Sequence, residues 1–166
     1  MLYTSAEAAK LLRKLEEEKK FLENNERQSC TFIAATNEDI ELARPAYDYC
    51  KSSDEISAIQ EKIRKVKHSI NKFNIEHEVP GFNMTVDQML VYIPQLSQAK
   101  QRLSAMKNRL TRQRMDVRVA GIIEYLYANY DVEKAKEDYE RVSDELSRAQ
   151  TALDVLNNQA RFEIDI

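Results

Sequence analysis

Two glycines, three prolines and no tryptophan occur in 166 residues. A β-sandwich places Gly and Pro at its many tight turns, and a nucleotide-binding loop needs a glycine-rich phosphate cradle. The shortage excludes both. No Gly-x-x-x-x-Gly-Lys loop, Gly-x-Ser-x-Gly elbow or dinucleotide fingerprint is present. A run of about 18 uncharged apolar residues is also missing, so no membrane-spanning helix and no membrane partner is expected. Met1-Leu2-Tyr3-Thr4-Ser5-Ala6-Glu7 lacks the charged and then apolar regions of a signal peptide.

Cysteine is scarce too. Cys30 and Cys50 are the only two, and a chain long enough to build its own core needs no disulfide between them. We expect free thiols, at least one of them buried, and a cytoplasmic protein. In that setting Asn83-Met84-Thr85, which matches the glycosylation pattern, is a coincidence of helix capping.

What the chain does have is charge and aliphatic residues at helical spacing. Charged residues make up 32% of it, 25 basic against 28 acidic, for a net charge of −3. The length fits one helical domain, residues 1–166. Thr4 or Ser5 can cap a first helix with apolar positions Ala8, Leu11, Leu12, Leu15 and Leu22, fading near Asn24-Asn25. Ser29–Thr36 is short and partly β-branched, which predicts a strand. Pro45 suits the first turn of a second helix. In that helix Ile56, Ile59, Ile63, Val66, Ile70 and Phe73 recur at alternating steps of three and four, a heptad seam.

Val79-Pro80-Gly81 ends this stretch, and Thr85-Val86-Asp87-Gln88 is a capping-box signature for a third helix. Met89, Ile93, Leu96, Ala99, Leu103, Met106 and Leu110 form its seam, with Pro94 inside, so a kink or split near Tyr92-Ile93 is expected. Val117, Val119 and the run Ile122–Tyr130 predict a strand able to pair with the Thr31–Thr36 segment. Asp131 can cap a fourth helix, in which Tyr139, Val142, Leu146, Ala149, Leu153 and Leu156 repeat the heptad steps. The tail Phe162–Ile166 alternates like a strand.

The second and fourth helices share one pattern at an offset of 83 residues, ending Phe73-Asn74 and Leu156-Asn157. We therefore expect a mainly α fold: four long antiparallel helices in two coiled-coil-like hairpins, with two or three short strands at the connections. Narrow seams on long helices leave little core per residue, which points to a homo-oligomer. The residues expected to do the packing are Ile56, Ile59, Ile63, Val66, Ile70, Leu146 and Leu153.

Catalytic chemistry has little to stand on. His68 and His77 are the only histidines, and neither sits in a Glu-x-x-His motif. Glu76-His77-Glu78 reads as a solvated turn, and Cys30 and Cys50 lie too far apart for a zinc spacing. We expect no enzyme, no metal and no cofactor. The charge pattern says more. Lys100, Arg102, Lys107, Arg109, Arg112, Arg114 and Arg118 meet only Asp116 in the same window, while Asp131–Glu145 holds seven acids. Either these charges set helix pairing, or Arg109, Arg112, Arg114 and Arg118 on the basic face of the third helix, with Tyr125 and Tyr127 nearby, form a nucleic-acid surface. The first reading is favoured, because the chain is acidic overall.

Ile70-Asn71-Lys72-Phe73-Asn74 resembles the Ile-Asn-x-x-Asn helix end of a small bacterial family of unknown function sometimes labelled septicolysin. Thr85–Leu90 and Tyr130-Asp131-Val132 look like that family's next helix start and C-terminal block. The resemblance would span most of residues 5–160, although the tryptophan that the family tends to carry near its end is absent here. It implies a helical, oligomeric fold with a small β element, and no functional residue transfers.

Overall fold

Thr4 and Thr85 open two of the four long helices with the same device. The Thr4 hydroxyl accepts from the Glu7 N–H at 3.2 Å, and the Glu7 carboxylate accepts from the Thr4 N–H at 2.9 Å. Thr85 and Gln88 make the same reciprocal pair at 3.3 and 3.0 Å. Each box satisfies two backbone donors that a helix start leaves unpaired. The computed structural model describes residues 1–115 and 122–166. Over these the element order is β1 (Leu2–Thr4), α1 (Ser5–Ser29), α2 (Ile40–Ala43), α3 (Tyr49–Glu76), β2 (Glu78–Val79), β3 (Met84–Thr85), α4 (Val86–Lys107), β4 (Arg112–Arg114), β5 (Tyr125–Tyr127), α5 (Val132–Gln159) and β6 (Arg161–Glu163). The fold is mainly α, with short antiparallel strands in two-stranded sheets.

The chain divides into two compact units, Met1–Glu76 with Asn157–Ile166, and His77–Leu156. In the first, α1 and α3 form an antiparallel hairpin. Tyr47, two residues before α3, donates to Glu26 near the end of α1, and Lys67 pairs with Glu16 at 2.8 Å. Ala8, Leu15, Val66 and Ile164 are the buried centre, with Tyr3, Leu11, Leu12, Ile63, Ile70 and Phe162 packed on it. β1 pairs with β6, Tyr3 opposite Phe162 and Thr4 opposite Arg161.

In the second unit α4 and α5 form the other antiparallel hairpin. Tyr92 donates to Glu145, and the Lys107 ammonium lies 3.4 Å from the centre of the Tyr139 ring. β2 and β3 make a tight hairpin, with Gly81 at φ 83° and Asn83 at φ 47° supplying the left-handed turn residues. Val86, Met89, Leu96 and Leu103 of α4 and Val132, Ala135, Val142, Leu146, Ala149 and Leu153 of α5 are buried. On α3 the buried positions are Ile59, Val66 and Phe73, with Ile56, Ile63 and Ile70 half-buried between them. Steps of three and four run through all three helices, so each turns one narrow apolar stripe inward.

The offset in the sequence is a duplication of structure. Tyr49 and Glu76 bound α3, and 83 residues on Val132 and Gln159 bound α5. Buried Ile59 and Val66 correspond to buried Val142 and Ala149. The capping threonines are 81 residues apart, and at that offset Ala8 and Leu15 correspond to Met89 and Leu96, all four buried. The strands repeat in register as well. Thr4 faces Arg161 and Thr85 faces Glu78, one step further Tyr3 faces Phe162 and Met84 faces Val79.

Several local expectations are corrected. Ser29–Thr36 is no strand: α1 runs past Asn24-Asn25 to Ser29, and among the described residues those after it pair with no strand. Glu26, Arg27 and Gln28 are good helix formers that carry the helix on. Pro45 lies outside α3, which starts at Tyr49, and Arg44 before it is extended (φ −68°, ψ 121°), as the residue before a proline prefers. Pro94 does not split α4. Leu90, whose carbonyl loses its helical donor, is half-exposed, so water can take the place of that bond. Leu110 lies beyond α4 and is exposed, and both Cys30 and Cys50 are free and exposed.

The expected strand at Ile122–Tyr130 shortens to β5, Tyr125–Tyr127, and pairs with β4 rather than with Thr31–Thr36. Val117 and Val119 of that expectation lie outside the described residues. The tail strand is Arg161–Glu163, and Ile164 after it is fully buried. Among the described residues, no helix is long and apolar enough to cross a membrane.

Candidate functional site

The connection between α4 and α5 holds the most distinctive surface. α4 stops at Lys107, and the Tyr130 hydroxyl donates at 2.8 Å to the Met106 carbonyl, which also accepts from the Arg109 N–H at 3.2 Å, so the residues just before α5 are tied to the end of α4. Beyond this closure the chain forms a two-stranded ribbon. The Ala128 N–H donates to the Thr111 carbonyl at 3.1 Å and the Met115 N–H to the Glu124 carbonyl at 2.9 Å. Between these bonds Arg112 faces Tyr127, Gln113 faces Leu126 and Arg114 faces Tyr125.

Side chains alternate across a strand, so this register puts Arg112, Arg114, Tyr125 and Tyr127 on one face and Gln113 and Leu126 on the other. The Arg112 guanidinium lies 3.6 Å from the centre of the Tyr125 ring and 5.8 Å from that of Tyr127. The two rings are 6.3 Å apart, at 50°. Tyr127 is 61% exposed and Tyr125 37%, and Arg109, Arg112 and Arg114 are exposed. The ribbon also borders a recess of about 200 Å³ whose lining includes Arg109, Leu110, Gln113, Leu126, Tyr127 and Tyr130.

The structure thus brings Arg112 and Arg114 together with Tyr125 and Tyr127. It does so on a ribbon and not on the third helix, because Arg109 follows α4 and Arg112 and Arg114 lie in β4. Arg118 lies outside the described residues. Sequence reasoning missed β4 itself. Arg-Gln-Arg has neither β-branched nor aromatic residues, and it is extended because Tyr-Leu-Tyr supplies its partner.

The acidic window of α5 is partly neutralised along its own helix. Lys134 pairs with Glu137 at 3.1 Å, Lys136 with Glu133 at 2.6 Å and Arg141 with Asp138 at 3.0 Å. The Lys134 ammonium is held above its ordinary range, first by the hydrogen bond to Glu137 and then by the charges of Asp138 and Glu137. Tyr92 is also raised, first by its hydrogen bond to the Glu145 carboxylate. In the other unit, desolvation and then the bond to Glu26 raise Tyr47, beside an open groove of about 530 Å³ that Leu22, Asp48 and Lys51 also line. The backbone N–H of Thr4 lowers Glu7. The shifts of Tyr92, Tyr47 and Glu7 accompany bonds that join or cap helices, and that of Lys134 an ion pair within α5.

His68 is exposed on α3. His77 is half-buried, and its carbonyl accepts from the Val86 N–H at 2.9 Å. Among the described residues, no group of three His, Cys, Asp or Glu side chains is placed to hold a metal ion.

Neither a protein-family model nor a curated protein matches the chain. Its fold is similar to the crystal structure of a functionally unknown conserved protein from Corynebacterium diphtheriae. The two are 18% identical over 98% of this chain and 100% of that one, with a TM-score of 0.61. That likeness shows the fold.

Proposed function

We propose that the protein is a non-catalytic interaction scaffold that self-associates through the connection between α1 and α3. The observation that carries this reading is that, among the described residues, the two most exposed large hydrophobic side chains lie in this connection. The stripes of the long helices, Val66, Leu146 and Leu153 included, are buried within the chain. Ile33 is 96% exposed and Leu42 87%, with Phe32 and Ile40 exposed beside them in sequence. Taking a side chain of this kind out of water contributes about 1.5–3 kcal/mol, and only another surface can provide that here. A second copy offers the same patch, the self-complementary arrangement of a two-fold dimer. Two exposed thiols suit a reducing compartment, and we place the protein in the cytoplasm.

Light scattering on the eluting protein tests this reading. The expected mass is a multiple of 19.4 kDa. The double variant Ile33→Asp/Leu42→Asp should return to the single-chain mass with unchanged helical circular dichroism. A parent chain that stays at 19.4 kDa at high micromolar concentration overturns the proposal.

A further inference from the structure

The ribbon carries a second surface, independent of the self-association patch. We propose that the face made by Arg112, Arg114, Tyr125 and Tyr127 binds single-stranded nucleic acid. Phosphates need cations that are not already paired, and bases need a flat aromatic ring open to solvent; among the described residues neither Arg112 nor Arg114 is in an ion pair, and Tyr127 is exposed. Between Lys107 and Asp131 the chain has Arg109, Arg112, Arg114 and Arg118 against Asp116 and Glu124. Of the arginines, Arg112 and Arg114 are fixed on one face by pairing with Tyr127 and Tyr125.

The stacking of Arg112 on Tyr125 at 3.6 Å holds the guanidinium against a ring plane, so less side-chain freedom is lost when a phosphate arrives. Tyr127, 61% exposed, leaves a ring free for a base.

A single strand matches this face better than a duplex does. In a duplex the bases are already stacked, and the tyrosines would gain no partner from them. Each strand of the ribbon is three residues long, about 10 Å, the reach of one or two nucleotides. An acidic peptide would satisfy the arginines and leave the rings without a flat partner. Because the whole chain carries a net charge of −3, the attraction is confined to this patch. Two phosphates, one for each arginine of the face, at roughly 0.7 each then predict a shallow salt slope of about −1.4.

The test is fluorescence anisotropy of a labelled oligothymidylate of about a dozen nucleotides in about 50 mM salt. Saturable binding with that slope is expected. Arg112→Ala/Arg114→Ala should weaken it at least about tenfold. Tyr127→Ala should weaken it at least about fivefold, and Tyr127→Phe, which keeps the ring, should restore it. Circular dichroism should be unchanged in all three, since the altered side chains are exposed. Absence of binding, or binding indifferent to the arginine pair, overturns the proposal. So does equal affinity for a duplex of the same length or for polyglutamate.

Discussion

Phe73 at the end of α3 and Phe162 in β6 stack with ring centres 4.7 Å apart and planes 30° from parallel. They lie 89 positions apart in the chain, and the contact packs the C-terminal strand against the first helical hairpin. Phe73 is 1% exposed, so Phe73→Ala should cost about 3–5 kcal/mol in urea unfolding. In a double-mutant cycle with Phe162→Ala, a coupling of about 0.5–1.5 kcal/mol is expected from the ring pair. A coupling of zero would show that the two rings contribute only separate burial.

The two capping boxes should behave alike. Thr4→Ala and Thr85→Ala are each expected to cost about 0.5–2 kcal/mol, because each leaves a first-turn N–H without its acceptor. Thermal melting of the pair of variants checks this.

Only one of these boxes can respond to acid. Glu7 is held below its ordinary value of 4.5, first by the Thr4 N–H, whereas Gln88 cannot titrate. A depressed carboxyl contributes stability above its unfolded pKa and loses it as pH falls through the folded value. Stability should therefore drop below pH 4.5 by a share that Glu7→Gln removes, and urea midpoints across that range would measure it.

Tyr92 titrates at the other end of the scale. Its hydroxyl donates to Glu145, and its pKa lies above the ordinary 10.0. A raised group is stabilising below its unfolded pKa, and that share is lost as pH rises through the folded value. Tyr92→Phe should cost about 1 kcal/mol at neutral pH, since it leaves the half-buried Glu145 without this donor. The loss of stability above pH 10 should be smaller in the variant, which alkaline melting curves can show.

Much of the fold was legible because helices follow local rules. The steps of Ile59, Val66 and Phe73, the Thr85–Gln88 box and the Asp131 cap rest on spacings within one or two turns. In the structure Asp131 accepts from the Glu133 N–H at 2.9 Å and the Lys134 N–H at 3.1 Å. The offset of 83 residues was legible for the same reason. Strands were misread where their partners are distant. Thr31–Thr36 has β-branched residues and no partner, while Arg112–Arg114 has none and is a strand. The candidate site followed that error: its arginines and tyrosines stood out as residue types, but the face that unites them depends on Arg112 meeting Tyr127.

Amino-acid order by itself determined which side of each long helix is apolar, where three of the four long helices begin, and that two halves share one plan, because a helix is specified by neighbours three and four positions away. Tertiary structure alone decided that Arg161–Glu163 returns to Leu2–Thr4 and that Arg112 lies over Tyr125. It also left Ile33 and Leu42 in water while burying Ile164. A strand's pairing and a loop residue's exposure are set by whatever lies across from them in space, and no spacing along the chain encodes that.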